Sequence, residues 1–181
     1  MKRFLSMLLV LTILFSANIY TSAYSMPSND NMKLDCRSAL LMEFSTGNII
    51  YEFNPHEKLT PASVTKVMTT LLIMEAVENG TMSLDDKVTC SARAKSMGGS
   101  TMYLETGEIR TVEELLKGVC VESANDAAIA LAEYHSGTEE AFVEKMNARA
   151  QELGCNDTHF SNCTGLFPEN HYMMLVYNYG H

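Results

Sequence analysis

The sequence predicts an α+β fold. Three observations point to it: two short runs rich in branched and aromatic residues around a turn-forming cluster near residue 45, a nearly continuous apolar helix starting at Pro61, and three capped helical segments between Thr111 and Gly154. Strands at the start followed by a run of helices suit an α+β layout better than regular alternation of the two. At 181 residues the chain has room for one domain with a sizeable core, and too little for two comfortable ones.

Residues 1–23, "MKRFLSMLLVLTILFSANIYTSA", place Lys2 and Arg3 before an apolar stretch from Phe4 to Ile19, with small residues at Thr21 and Ala23. That order of charge, apolar core and small residues is expected of a signal peptide cleaved after Ala23, so the chain is expected to be exported. An uncleaved membrane anchor is the alternative, since the stretch is near the lower limit for spanning a bilayer. Residues 24–34 are polar and carry Pro and Asn, as a linker does, leaving residues 35–181 as the domain.

Within that domain, "SALLMEF" and "IIYEF" flank "STGN" and predict a β-hairpin. Two strands are marginal alone, so the hairpin is expected to join a larger sheet. Pro61 suits the first position of a helix, and apolar residues follow on nearly every side up to Asn79-Gly80, which predicts a central, buried helix. Residues 81–108 contain Gly98-Gly99 and no helical period, and predict a surface excursion with short strands. Thr111 and Glu114 form a capping box for a short helix ending near Lys117-Gly118. Asn125 is expected to cap a second helix closed by Gly137. Thr138 is expected to cap a third from Glu139 to Leu153, with Phe142, Met146 and Ala150 at helical spacing and Gly154 as its stop.

Thirteen Lys plus Arg against twenty-two Asp plus Glu give a formal charge of −9. Such a balance argues against a surface that tracks phosphates, so nucleic acid is not an expected partner. The five cysteines, Cys36, Cys90, Cys120, Cys155 and Cys163, show no spacing that suggests a metal site. They read as mostly buried small hydrophobes, with a Cys155–Cys163 disulfide as a possibility.

Ser63 and Lys66 stand at the head of the apolar helix. A buried helix gains nothing from a lysine near its start, so the side chain either snorkels to water or has a chemical partner. A serine hydroxyl needs a base within reach to act as a nucleophile at neutral pH. Residues three apart share a helix face, and burial lowers the pKa of an ammonium, freeing a neutral amine to accept the serine proton. Backbone N–H groups at the helix start would favour an oxyanion near Ser63. Ser-x-x-Lys arises by chance roughly once in a chain of ordinary composition and this length, so its weight comes from position: the one instance lies where Pro61 starts a buried helix.

A second element is Ser123-Ala124-Asn125, between two predicted helices. A hydroxyl and an amide two residues apart in a loop suit a cleft, the first relaying a proton and the second holding a substrate carbonyl. Plain helix capping is the competing reading, and Ser16-Ala17-Asn18 shows how little the tripeptide means alone.

The segments "LTPASVTKVMTTLLIMEA", "SMGGSTMYLETGE", "TVEELLKGVCVESANDAAIALAE", "GTEEAFVEKMNARAQELG" and "THFSNCTGLFPENHY" together resemble, in unbroken order from Leu34 to Tyr172, the D-alanyl-D-alanine carboxypeptidases. These are the low-molecular-weight penicillin-binding proteins of the serine peptidase type. The resemblance implies a β-lactamase/transpeptidase-like fold, a helical cluster against a five-stranded antiparallel sheet. It implies Ser63 as the acylated nucleophile, Lys66 as its general base, Ser123 as a proton relay to the leaving D-alanine and Asn125 as a substrate-orienting amide. No metal or other cofactor is implied. The implied substrate is the terminal D-alanine of peptidoglycan stem pentapeptides outside the membrane, with β-lactams acylating the same serine. Two alternatives stay open: a non-catalytic cell-wall binding or partner-dependent fragment of the same fold, and a β-lactamase, which shares the serine and lysine arrangement.

The family pattern also implies Lys-Thr-Gly on a later sheet strand, binding the substrate's terminal carboxylate, and this sequence has none. Lys95 precedes Ser-Met, Lys117 precedes Gly-Val, and Thr46-Gly47, Thr106-Gly107 and Thr164-Gly165 follow Ser45, Glu105 and Cys163. Residues after Tyr172, "MMLVYNYGH", carry no helical charge pattern. The chain is therefore expected to be a truncated product that lacks the later strands, with a sheet too small to be stable and poor binding and turnover of substrate. Sequencing the downstream DNA in all frames tests this: a Lys-Thr-Gly-like segment is expected within a few hundred bases, and none in any frame would sink the idea.

Overall fold

In a computed structural model, the structure describes residues 34–166 and 169–175. The expected signal peptide and nearly all of the expected linker lie outside them. The hairpin forms where the sequence places it, as β1 (Ala39–Met42) and β2 (Ile49–Phe53). Its turn is organised by Glu43, whose carboxylate accepts from the N–H and hydroxyl groups of Ser45 and Thr46, and these bonds hold its pKa down at about 2. Gly47 supplies the left-handed backbone there, at φ +74°. Among the described residues no third strand pairs with this hairpin. Leu41–Tyr51 belongs to a different compact unit from the rest of the described chain beyond it, and Leu41, Met42, Phe44, Ile49 and Ile50 are exposed.

The second unit comprises Cys36–Leu40 and the chain from Glu52 onward. A 3₁₀ turn, Ala62–Thr65, leads into α1 (Lys66–Glu78). Strands β3 (Lys87–Thr89) and β4 (Ile109–Thr111) make an antiparallel ribbon with Val88 opposite Arg110, and the short α2 (Ala92–Lys95) follows β3. Then come α3 (Val112–Glu122), α4 (Asn125–Ser136) and α5 (Glu139–Glu152). Helix α4 is the hub: Ala127 to Ala132 are all buried, and it packs against α1, α2, α3 and α5. Among the described residues no helix is long and apolar enough to cross a membrane.

Several expectations need correction. Helix α1 is buried along one side only, through Lys66, Thr69, Leu72, Ile73 and Ala76, whereas Val67 is 69% exposed and Met74 is also exposed. Residues 81–108 are no surface excursion, because Met82, Val88, Cys90, Ala94, Met97 and Leu104 all enter the core. Helix α3 does form its Thr111–Glu114 capping box but runs through Gly118 to Glu122. Gly118 is there for space, since a Cβ would lie 2.0 Å from the sulfur of Met102. Asn125 is the first residue of α4 and no side-chain cap; the cap position is Ala124. All five cysteines are free, and only Cys90 and Cys163 are buried. Cys163 spends its thiol on Glu139 Oε1 at 3.7 Å rather than on Cys155. By contrast, Thr138 caps α5 as expected by accepting from Ala141 N at 3.1 Å, and Phe142, Met146 and Ala150 are fully buried.

One side chain explains how residues 98–104 are drawn in. The buried Asp126 carboxylate accepts from the N–H groups of Met102 and Leu104, each at 3.0 Å, and from Ala127 N at 2.8 Å. Asp126→Ala would leave buried N–H donors without partners, and we expect a loss of about 2–4 kcal/mol in unfolding free energy by urea titration. Asp126→Asn, which keeps one acceptor oxygen, should cost less; equal loss from both would refute this account.

Candidate active site

The chain enters the site through an unusual turn. Ala62 has φ +47°, a left-handed conformation that costs a residue with a Cβ of order 1–2 kcal/mol. Such backbone persists only where its surroundings dictate it. Here the surroundings are residues 161–166. Gly165 lies so close that a Cβ on it would fall 1.9 Å from Ala62 O and 2.7 Å from Thr65 Oγ1. Strain at Ala62 and the absent side chain at Gly165 are two sides of one contact, and together they set Ser63 at the surface with Thr65 and Lys66 facing inward.

Lys66 Nζ donates to Ser63 Oγ at 3.2 Å and to the Thr164 carbonyl at 2.9 Å. Its side chain is 4% exposed and forms no ion pair among the described residues. Burial therefore pushes the ammonium pKa below the ordinary lysine range, only partly opposed by Cys163. That opposition requires a thiolate, and burial together with the nearby Glu139 pushes the Cys163 thiol well up, so the thiol stays neutral. An amine so placed can take the Ser63 proton while keeping an N–H on Thr164.

The loop that supplies the Thr164 carbonyl is itself tied down. Asn162 Oδ1 accepts from Thr164 N, Thr164 Oγ1 and Gly165 N, the last at 2.6 Å. Thr69 Oγ1 donates to the Cys163 carbonyl at 2.7 Å, one turn of α1 beyond Lys66. Thr65 Oγ1 lies 2.6 Å from His171 Nε2, both residues buried. Residues 172 and 173 pair as single antiparallel bridges with His159 and Leu59. The sequence assigns no role in the site to Thr65, Thr69, Asn162 or His171, and it notes Thr164-Gly165 only as a Thr-Gly pair that lacks a preceding lysine. The readable signal was Asn-x-Thr-Gly, an Asx-type turn, which says nothing of the partner it faces.

Ser123 ends α3 in the left-handed conformation, φ 56°, ψ 36°. It lines a cavity of about 590 Å³ together with Ser63 and Lys66; Val67, Leu71 and Met74 of α1 and Val119 and Cys120 of α3 make its apolar walls. The structure thus brings three of the four expected residues to one cavity. Asn125 is not among the lining residues: its backbone N–H goes to Ser100 O at 2.8 Å and its side-chain amide to Gly98 O at 2.7 Å. A larger cavity of about 800 Å³, lined by Arg93, Glu139, Glu140 and His159 among others, contains none of the four.

Residues 23–176 match the family model described as D-alanyl-D-alanine carboxypeptidase. The chain is 47% identical over 174 residues to the D-alanyl-D-alanine carboxypeptidase DacF of Bacillus subtilis, covering 95% of this chain and 44% of that protein. It is 39% identical over 139 residues to DacC of Escherichia coli, covering 74% of this chain and 35% of that one. Among solved structures, that of the carboxypeptidase DacD from Francisella tularensis aligns with a TM-score of 0.78 and 40% identity, over 80% of this chain and 35% of that chain. Penicillin binding protein 5 from Haemophilus influenzae aligns with a TM-score of 0.74 and 35% identity, over 77% and 41%. The chain spans less than half the length of each of these relatives.

Gly165→Ala tests the contact that shapes the turn. Added strain and overlap with Ala62 O are expected to cost about 2–4 kcal/mol in urea unfolding. Gly47→Ala, with the same sign of φ but nothing within 4 Å, should cost about 1 kcal/mol. Equal costs would show that the close approach is not a constraint.

Proposed function

The chain belongs to the D-alanyl-D-alanine carboxypeptidase family, and we propose that it carries the acylating residues of a serine-type enzyme that removes the terminal D-alanine from peptidoglycan stem pentapeptides. In this reading the neutral Lys66 amine takes the Ser63 proton as Oγ attacks the carbonyl of the penultimate residue. Ser123 relays a proton to the leaving D-alanine nitrogen, and the C–N bond breaks to leave an ester on Ser63. Water, activated by the same amine, then hydrolyses the ester and releases the shortened peptide. Asn125 orients the substrate once its amide turns from Gly98. The work is done outside the cytoplasm, at the cell wall, and β-lactams acylate the same serine. Lys-Thr-Gly, which would bind the substrate's terminal carboxylate, is not among these 181 residues, so slow acylation and poor turnover are expected of them.

The observation that carries this reading is the buried Lys66 amine, 3.2 Å from Ser63 Oγ and without a carboxylate partner among the described residues. Labelling by a fluorescent penicillin is the test. Slow covalent labelling of the wild-type chain is expected, abolished in Ser63→Ala. Because only the deprotonated amine accepts a proton, the rate should rise with pH as Lys66 loses its proton. Its midpoint should fall below the ordinary lysine value of about 10.4, since burial lowers that pKa. Wild-type chain that binds cell wall without labelling would favour a non-catalytic binding module instead.

A further inference from the structure

His171 lies outside the cavity that holds Ser63, Lys66 and Ser123, yet it reaches the residue between nucleophile and base. Thr65 is 1% exposed and His171 2%, so their 2.6 Å contact is shielded from water. Its polarity follows from the other ring nitrogen. Ser161 N–H points at Nδ1 from 3.1 Å; a backbone amide only donates, so Nδ1 accepts and the ring proton sits on Nε2. His171 therefore donates to Thr65 Oγ1. Phe160 packs edge-on against the ring at 5.6 Å and fixes its plane.

The same short segment holds both arms of the site. Met173 exchanges backbone hydrogen bonds with Leu59, just ahead of the nucleophile turn, and Tyr172 does so with His159, just ahead of the loop that ends in Thr164 and Gly165. His171 adds the only side-chain link from this segment into the turn itself among the described residues. A lysine side chain has many rotamers, and few place Nζ at once 3.2 Å from Ser63 Oγ and 2.9 Å from Thr164 O. Keeping that geometry requires residues 62–66 and 161–165 to hold their distance.

We propose that His171 is a positioning residue for the Ser63–Lys66 pair, its Nε2–H pinning Thr65 so that the nucleophile turn stays in register with the loop carrying the Thr164 carbonyl. The assignment rests on the reading of Ser63 and Lys66 given above. It concerns placement only, since His171 touches neither reacting atom.

Two isosteric variants separate placement from general stability. His171→Asn keeps an acceptor near Nδ1 for Ser161 and loses the donor to Thr65; His171→Gln places an amide N–H near Nε2. Penicillin labelling of the full chain is expected to slow about 10–100-fold in His171→Asn and to return to within about threefold of wild type in His171→Gln, with unfolding midpoints recorded in parallel. Thr65→Val should match His171→Asn, and the double variant should be no slower than the slower single. Should His171→Asn fail to fold, Thr65→Val against Thr65→Ser reads the same bond from the other end. Labelling of His171→Asn at the wild-type rate, equal slowing in Asn and Gln variants, or multiplicative losses in the double variant would overturn the proposal. If wild-type chain does not label at all, the functional reading fails, and placement is read instead from the Lys66 ¹³Cε titration. An upward shift of the Lys66 midpoint in His171→Asn but not in His171→Gln supports positioning, and an unmoved midpoint in both refutes it.

Discussion

The site depends on one close approach, that of Gly165 to the Ala62 carbonyl. It brings the Thr164 carbonyl to Lys66. With residues 163–165 pressed along the start of α1, successive carbonyls meet successive inward-facing side chains, Cys163 O taking Thr69 and Thr164 O taking Lys66. Lys66 is buried where it meets the Thr164 carbonyl, so burial and hydrogen bonding act on one group at one place. A methyl group at residue 165 would push the loop away and admit water. The amine would then regain the solvation that favours its charged form, and with it the protonation state that cannot accept a proton.

The wall opposite is made differently. Val67, Leu71 and Met74 give α1 an apolar edge along the cavity, and Val119 and Cys120 face it from α3. The polar side chains lining it among the described residues are those of Ser63, Lys66, Thr70 and Ser123. An apolar surround raises the cost of a charge on Ser63, Lys66 or Ser123, which favours the neutral amine and hydroxyls at rest. Ser123 reaches this cavity because α3 ends in a left-handed residue, turning the chain sharply before α4 begins. The reach of α3 to that point depends in turn on Gly118, where Met102 occupies the space a side chain would need.

What was legible in the sequence was local. The Thr111–Glu114 box, the Thr138 cap, the Phe142, Met146 and Ala150 stripe and the hairpin around Gly47 are each decided within a few residues, and each formed as read. The pairing of Ser63 with Lys66 was legible for the same reason. The parts that were misread are decided at long range. Residues 81–108 looked like surface because their core residues are irregularly spaced, and it is Asp126, more than twenty residues on, that pulls Met102 and Leu104 inward. Gly118 read as a helix stop because glycine so often is one, while its actual partner lies in a loop. The Thr65–His171 contact left no trace in the sequence: the two are 106 residues apart and meet through single atoms, which no periodicity or composition records.

Asn125 shows the limit of reading a role from spacing. Two residues from Ser123, it starts a new helix, and its side chain is committed to Gly98 O at 2.7 Å while its backbone N–H holds Ser100 O. The neighbouring Asp126 fastens Met102 and Leu104, so the first turn of α4 grips residues 98–104 from three side-chain and backbone groups at once. Turning the Asn125 amide toward a substrate costs a hydrogen bond worth about 0.5–1.5 kcal/mol net, and a peptide carbonyl offered in place of Gly98 O restores it. Under the substrate-orienting role proposed above for Asn125, the exchange is close to neutral, because Gly98 is exposed and its released carbonyl is open to water. Asp126 and the Ser100 contact keep residues 98–104 in place during the exchange, so the amide can be released without the loop following it.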